Sequence, residues 1–403
     1  MARNPMRDQI AIVGVGSTPY GRDLKRTELS LGLEAAVRAI EDAGIDRQEI
    51  NGICGTGMTP LAMGGAGFLS LQGALGIEET TWVKNGWLGS CLVYAAEAVF
   101  SGLCDTALVV QAYTREINMS RSAANDPFRI RSAELGAAGS AITGFGDFAR
   151  RWIHSGEPYA AWMARYMRDF GATKDVFGRI AVNNRSHASR NPNAVMRTPI
   201  TLEDYHASRT IWAPMQMFDM DVPVDCGEAV IITTAERAKD LAKKPVYIHA
   251  MSLGGSQVGE FYENSLGWTE NSSWISLRGL WARSELKVED IDLFYPYDGY
   301  SVNAVALTEA AGFCGPGEAP DYFKSSWDDE QNILRLNNGR TLVQTHGGGL
   351  SQGRAGGFNF YTEAVRQMRG TEGDRQASNA STALLCAGSS FFHDPASVLL
   401  RAD

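Results

Sequence analysis

The sequence has little of what would commit it to a metal, a membrane or a nucleic acid. Six cysteines occur among 403 residues (positions 54, 91, 104, 226, 314 and 386), scattered and without a CxxC pair. That spacing excludes a zinc ribbon or a disulfide framework and fits reduced thiols packed as small apolar side chains. No metal site is expected. Basic residues are outnumbered, 37 Lys plus Arg against 46 Asp plus Glu, which leaves a formal charge of −9. Nucleic acid and anionic membrane are therefore poor partners. No run approaches the ~20 apolar residues of a spanning helix. The opening MARNPMRDQIAIVGVG lacks a signal-peptide core, because its apolar run is short, is flanked by Asp8 and reads as a strand. A cytoplasmic protein is expected.

What is present is ordinary globular composition, 44% apolar and 21% charged. The pattern begins with a strand (Ile10–Val13) and a helix (Leu29–Ala43) stopped by Gly44, then a strand near Ile50–Cys54. A helix over Cys91–Phe100 and a buried strand Thr106–Gln111 follow. Such alternation favours a parallel sheet with helices on its faces. The segment AGIDRQEINGICG (43–55) is matched by SELKVEDIDLFYP (284–296): Ile45, Ile50 and Ile53 answer to Leu286, Ile291 and Phe294 at an offset of 241. AAEAVFSG and YTEAVRQMRG, each leading to an apolar strand, repeat in the same order. Two ordered matches point to a duplicated βαβ-rich domain, with halves 1–243 and 244–403. Residues 112–218 fit neither repeat. They hold two helical patterns (Tyr159–Phe170 and Lys174–His187) and read as an inserted binding subdomain.

The chemistry concentrates in THGGGLSQGRAGG (345–357), with Cys386 in LLCAG about thirty residues later. Glycines leading into a helix bring bare backbone N–H groups close to a ligand. That suits an enolate or oxyanion on an acyl group.

IAIVGVGSTPYG, NNRSHASRNPNAV, VDCGEAVIITTAERAKDL, QTHGGGLSQGR and LLCAGS, in this order, resemble the thiolase superfamily. Within it they are most similar to the lipid-transfer-protein or sterol-carrier-protein-x type thiolases and the steroid side-chain aldolases. The resemblance covers nearly the whole chain. It implies a five-layered α/β/α/β/α fold from two βαβαβαββ halves, commonly a homodimer, with the site between the halves.

It also implies which residues carry the reaction, and here the pattern departs. The nucleophilic cysteine position, counted back from AEAVFSG, falls at Asn85–Gly86. Nearby Cys91 is either a packed thiol or a shifted nucleophile. The catalytic His of the family's GHP motif is replaced by Arg354, and the asparagine of its NEAF loop corresponds to Tyr297. The acid–base cysteine matches Cys386.

An enolate pocket without an acyl carrier favours retro-aldol cleavage of a β-hydroxyacyl-CoA, the reaction of the family's aldolases, which are thought to use tyrosines. Tyr297, His346, Cys386 and Asp298 are the expected catalytic residues. Asp298 could orient Tyr297 or cap the helix Ser301–Ala311. Arg354 is a CoA contact or an internal ion pair, and Gly348 and Gly388 complete the expected substrate contacts. Tyr300 reads as structural, and His187 as a tie for the inserted loop. No cofactor is expected beyond the coenzyme A of the substrate. A small OB-fold/zinc-ribbon partner subunit is implied by the resemblance. The competing readings are a thiolase-type acyltransferase and a non-catalytic acyl-CoA- or lipid-binding subunit.

Overall fold

The computed structural model describes residues 3–56, 66–86, 89–114, 156–255, 267–378, 380–388 and 395–402. The strands are β1 (Ile10–Ser17), β2 (Gly52–Thr56), β3 (Trp82–Gly86), β4 (Thr106–Tyr113), β5 (Thr210–Trp212), β6 (Met215–Gln216), β7 (Cys226–Thr234) and β8 (Val246–Leu253). They continue with β9 (Leu293–Pro296), β10 (Trp327–Asp328), β11 (Ile333–Leu336), β12 (Thr341–Val343), β13 (Thr382–Ala387) and β14 (Ala396–Arg401).

Twelve of these strands follow one order, β10-β11-β12-β9-β13-β14-β8-β1-β7-β4-β2-β3. Read outward from its centre, the order repeats itself. In one half β1-β7-β4-β2-β3 joins antiparallel, antiparallel, parallel and parallel neighbours. In the other, β8-β14-β13-β9-β12 does the same. The segments offset by 241 lead into β2 and β9, which hold corresponding places. The halves meet where β1 pairs with β8 through Ala11↔Tyr247 and Ile12↔Val246.

Alternation along the strands divides the core into layers. Ala11 and Val13 face the helix Glu28–Ala43, whereas Ile10 and Ile12 face the opposite side. That side is shared by the helices Ser90–Phe100 and Asn359–Arg369, which are packed between the two halves of the sheet, each half forming a layer. Beyond the second half the helices Asp175–Arg190, Ser272–Trp281 and Ser301–Ala311 bury a third cluster with Leu384 and Leu399. The result is helix, sheet, helix, sheet, helix. Local signals set the ends: Thr27 Oγ1 accepts from Ser30 N at 3.2 Å to start the first helix, and Gly44 at φ +67° ends it.

The sheet's two ends differ. Among the described residues β3 is the last strand on one side, while its counterpart β12 is followed by the hairpin β10–β11. The inserted segment begins later than expected, because β4 runs on to Tyr113. Of that segment, residues 115–155 lie outside the described residues. The remainder forms the helices Glu157–Phe170, Asp175–Arg190 and Leu202–Ala207 with the short β5–β6 hairpin. No helix among the described residues is long and apolar enough to cross a membrane.

Candidate active site

The expected residues gather at the C-terminal ends of the parallel strands β9, β12 and β13, where α/β sheets present their sites. Cys386 on β13 stands in register beside Pro296, the last residue of β9, and Tyr297 follows. The glycine segment leaves β12 and turns into the short helix Gly348–Ser351.

That segment is held from behind by the NNRSHASRNPN stretch. Asn191 Nδ2 donates to the His346 carbonyl at 2.8 Å, and Arg185 Nε donates to Ser351 Oγ at 3.1 Å. Its backbone donors serve an internal carboxylate. Gly349 N and Leu350 N donate to Asp298 Oδ1 and Oδ2 at 2.9 and 3.1 Å, and Asn184 Nδ2 donates to Oδ2 at 2.7 Å. This corrects the expectation that these amides are aimed at a substrate oxyanion. It also places Asp298's cap on Gly348–Ser351; the helix Ser301–Ala311 has no side-chain cap. Burial pushes Asp298 up to about 7, against the pull of the two amides. Gly348 is glycine because of this contact: at φ +61° an added Cβ would lie 2.1 Å from Asp298 Oδ2.

Arg354 forms a two-point ion pair with Asp221, with Nε on Oδ2 at 2.7 Å and Nη2 on Oδ1. Burial opposes both charges, raising Asp221 and working against Arg354. The bidentate contact decides for the ionised pair, and Arg354 is held above its usual range. The internal ion pair is therefore the role the geometry displays.

Tyr297 lies within the field of this pair. Its ring folds back over Gly299, where an added Cβ would come within 2.7 Å of the hydroxyl. Burial first, then Asp221, raises its pKa, while Arg354 pulls the other way. The side chain rests as a neutral phenol, a proton donor beside a fixed cation. Tyr300 stacks on Tyr159 with ring centroids 3.8 Å apart, consistent with a structural role.

His346 is fully buried against Tyr295 and Phe360, and neither ring nitrogen has a hydrogen-bond partner among the described residues. Burial lowers it to about 4, so the ring is neutral. Burial pushes the Cys386 thiol up to about 12. Gly388, at φ +115°, turns the chain away from the end of β13.

The nucleophile position needs correction. Asn85–Gly86 ends β3, whereas the following helix starts at Ser90, directly after Gly89. From 85 to 90 the sequence is NGWLGS, so no register supplies a cysteine. Cys91 is the second residue of that helix, where a dipole could favour a thiolate. Instead it is 1% exposed, and burial followed by Cys54 raises its pKa well above the usual thiol range.

Sequence reasoning missed Asp221, Asn184 and Tyr361. Tyr361 Oη donates to the Gly89 carbonyl at 3.3 Å, clamping the helix start to the second half. Only the demand of a half-buried Arg354 for a carboxylate could have pointed to Asp221. Taken together, the site offers a phenol, a fixed cation and buried carboxylates, without a thiol of lowered pKa among Cys91 and Cys386.

Residues 268–402 match the family model described as thiolase C-terminal domain-like. The chain is 31% identical over 377 residues to the 17-hydroxy-3-oxo-4-pregnene-20-carboxyl-CoA lyase of Mycobacterium tuberculosis, covering 90% of this chain and 92% of that protein. It is 29% identical to the steroid side-chain-cleaving aldolase of Thermomonospora curvata, with 94% of each covered. Among solved structures, the Ltp2-ChsH2(DUF35) aldolase superposes with a TM-score of 0.84 at 28% identity, covering 99% of both chains.

Proposed function

The chain belongs to the thiolase superfamily, close to its steroid side-chain-cleaving aldolases, and from that premise we propose that it cleaves a β-hydroxyacyl-CoA by a retro-aldol reaction. The β-hydroxyl proton passes to a base and the Cα–Cβ bond breaks. The carbonyl product leaves, and the electron pair stays on the thioester as an enolate. Protonation at Cα then gives the shortened acyl-CoA. No acyl-cysteine forms. Tyr297, a neutral phenol at rest, gives the proton taken up at Cα and recovers it from the base, and the Arg354 charge, fixed by Asp221, stabilises the developing oxyanion. Asp298 holds the glycine segment in place for them. The steroid side chain is the acyl class the relatives' names favour.

The observation that carries this reading is Tyr297 as a neutral phenol beside the Asp221–Arg354 pair, at the end of β9. Tyr297→Phe should lower kcat by about 10²–10⁴ with a small change in KM. Full turnover by that variant on acyl-CoA substrates would refute it.

The acyltransferase alternative rests on Cys91 at its helix start. The depth and raised pKa of that thiol weigh against it. We further propose that the active assembly pairs two copies through the open edge of β3. It also takes a small partner subunit, as the two-component name of the Ltp2-ChsH2(DUF35) aldolase implies for that protein. Co-purification and light scattering test both.

A further inference from the structure

A cleft of about 180 Å³ lies among the end of the helix Asp175–Arg190, β11 and the turn Gly373–Arg375. The chemistry above does not use it. Arg190, Arg335, Arg375 and His187 line it, with Asp374 as the only carboxylate of the wall among the described residues.

The three guanidinium groups are unequally committed. Arg375 commits both Nη1 and Nη2, to Glu363, Glu372 and the Thr345 carbonyl. Arg335 spends Nε on Asp328 at 2.8 Å and Nη2 on Gln331 at 3.3 Å, which leaves Nη1. Arg190 makes no ion pair among the described residues; its Nη2 donates to His187 Nδ1 at 3.2 Å. A guanidinium only donates, so Nδ1 accepts and the neutral ring carries its proton on Nε2. Burial, then Arg190, keeps that ring neutral, lowering it to about 3. Nε2–H has no partner among the described residues although His187 is 4% exposed. Burial, then Arg335 and Arg375, lowers Arg190 as well. Spare donors, crowded positive charge and an unmatched N–H have one common remedy: an anion with several acceptor oxygens arriving from different directions.

We propose that this cleft binds a phosphate group, held chiefly by Arg190 and Arg335 beside His187. It adjoins the active site through Thr345, which lines the cleft and precedes His346. The source is either free phosphate or a phosphate of the coenzyme A moiety.

The full chain is titrated with inorganic phosphate at ionic strength matched by sodium chloride, following thermal unfolding. Coenzyme A and dephospho-coenzyme A are titrated calorimetrically. For a free-phosphate site, phosphate raises Tm saturably, and Arg190→Gln and Arg335→Gln each weaken its binding about tenfold or more. For a coenzyme A phosphate, the same variants weaken coenzyme A but leave dephospho-coenzyme A unchanged. The proposal is overturned if phosphate acts no differently from chloride and both coenzyme forms bind the variants like wild type. It is equally overturned if phosphate binds both variants as tightly as wild type. Arg190 is exposed and Arg335 half-buried, and far-UV circular dichroism is to check that each variant is folded.

Discussion

Replacing His346 by Phe separates a packed neutral ring from a titrating one. In the fold the ring's pKa is lowered to about 4 by burial, whereas a free histidine titrates near ~6.5. The native ring therefore stays neutral while the unfolded one takes up a proton. Its contribution is complete above about pH 6.5 and is lost as pH falls toward 4. A gap of about 2.5 units corresponds to about 3 kcal/mol. His187, lowered to about 3, adds a loss of the same sign. Asp298 and Asp219, raised to about 7 and about 6 by burial, act oppositely, because the native carboxyl keeps its proton while the unfolded one ionises. The whole pH profile is thus a mixture, but the difference between wild type and His346→Phe isolates one ring. Urea unfolding from about pH 7.5 to about pH 4.5 should show the variant gaining on wild type by about 1.4 kcal/mol per pH unit below about pH 6.5. Near pH 7.5 the two should differ little, since Phe removes two unpartnered nitrogens from an aromatic pocket. Parallel stability curves across this range would sink the argument.

Other perturbations read other parts of the site. Gly348→Ala combines left-handed strain of ~1–2 kcal/mol with displacement of a buried carboxylate, so urea unfolding should show a loss of about 3 kcal/mol or more. Gly44→Ala, at φ +67° with nothing within 4 Å, should cost only about 1 kcal/mol. Asp221→Asn leaves Arg354 without its counter-charge and should destabilise by about 2–4 kcal/mol while lowering kcat, a pairing of effects that unfolding and steady-state kinetics measure together. Cys91→Ala should retain turnover within about twofold, and the native thiol should resist iodoacetamide; a hundredfold loss would favour the acyltransferase.

Much of the fold was legible because strand and helix periodicity survive duplication. The Ile45, Ile50 and Ile53 pattern reappears at Leu286, Ile291 and Phe294 because both segments feed equivalent strands. Helix Ser301–Ala311 lies where its pattern placed it. The site was less legible, since its decisive contacts join residues far apart in sequence. Asp221 and Arg354 are 133 positions apart, and Asn184 and Asp298 are 114 apart. The glycine segment showed that amides were bare, but not that a neighbouring carboxylate already occupied them. The position of the missing nucleophile slipped because counting without gaps cannot see where β3 stops and the next helix begins.

The unequal ends of the sheet bear on how assembly stops. A strand edge recruits a further strand indefinitely if both ends of a sheet are open, which is the route to fibres. Among the described residues one end is β3, paired on one side with β2, and the other is β10, the two-residue outer strand of the hairpin lying beyond β12. The proposed joining of two copies through β3 uses up the five-residue edge of each and leaves only the two-residue edges of β10 outside. An outer edge of two residues presents too few backbone groups to recruit a further strand, so the proposed pairing would stop at two.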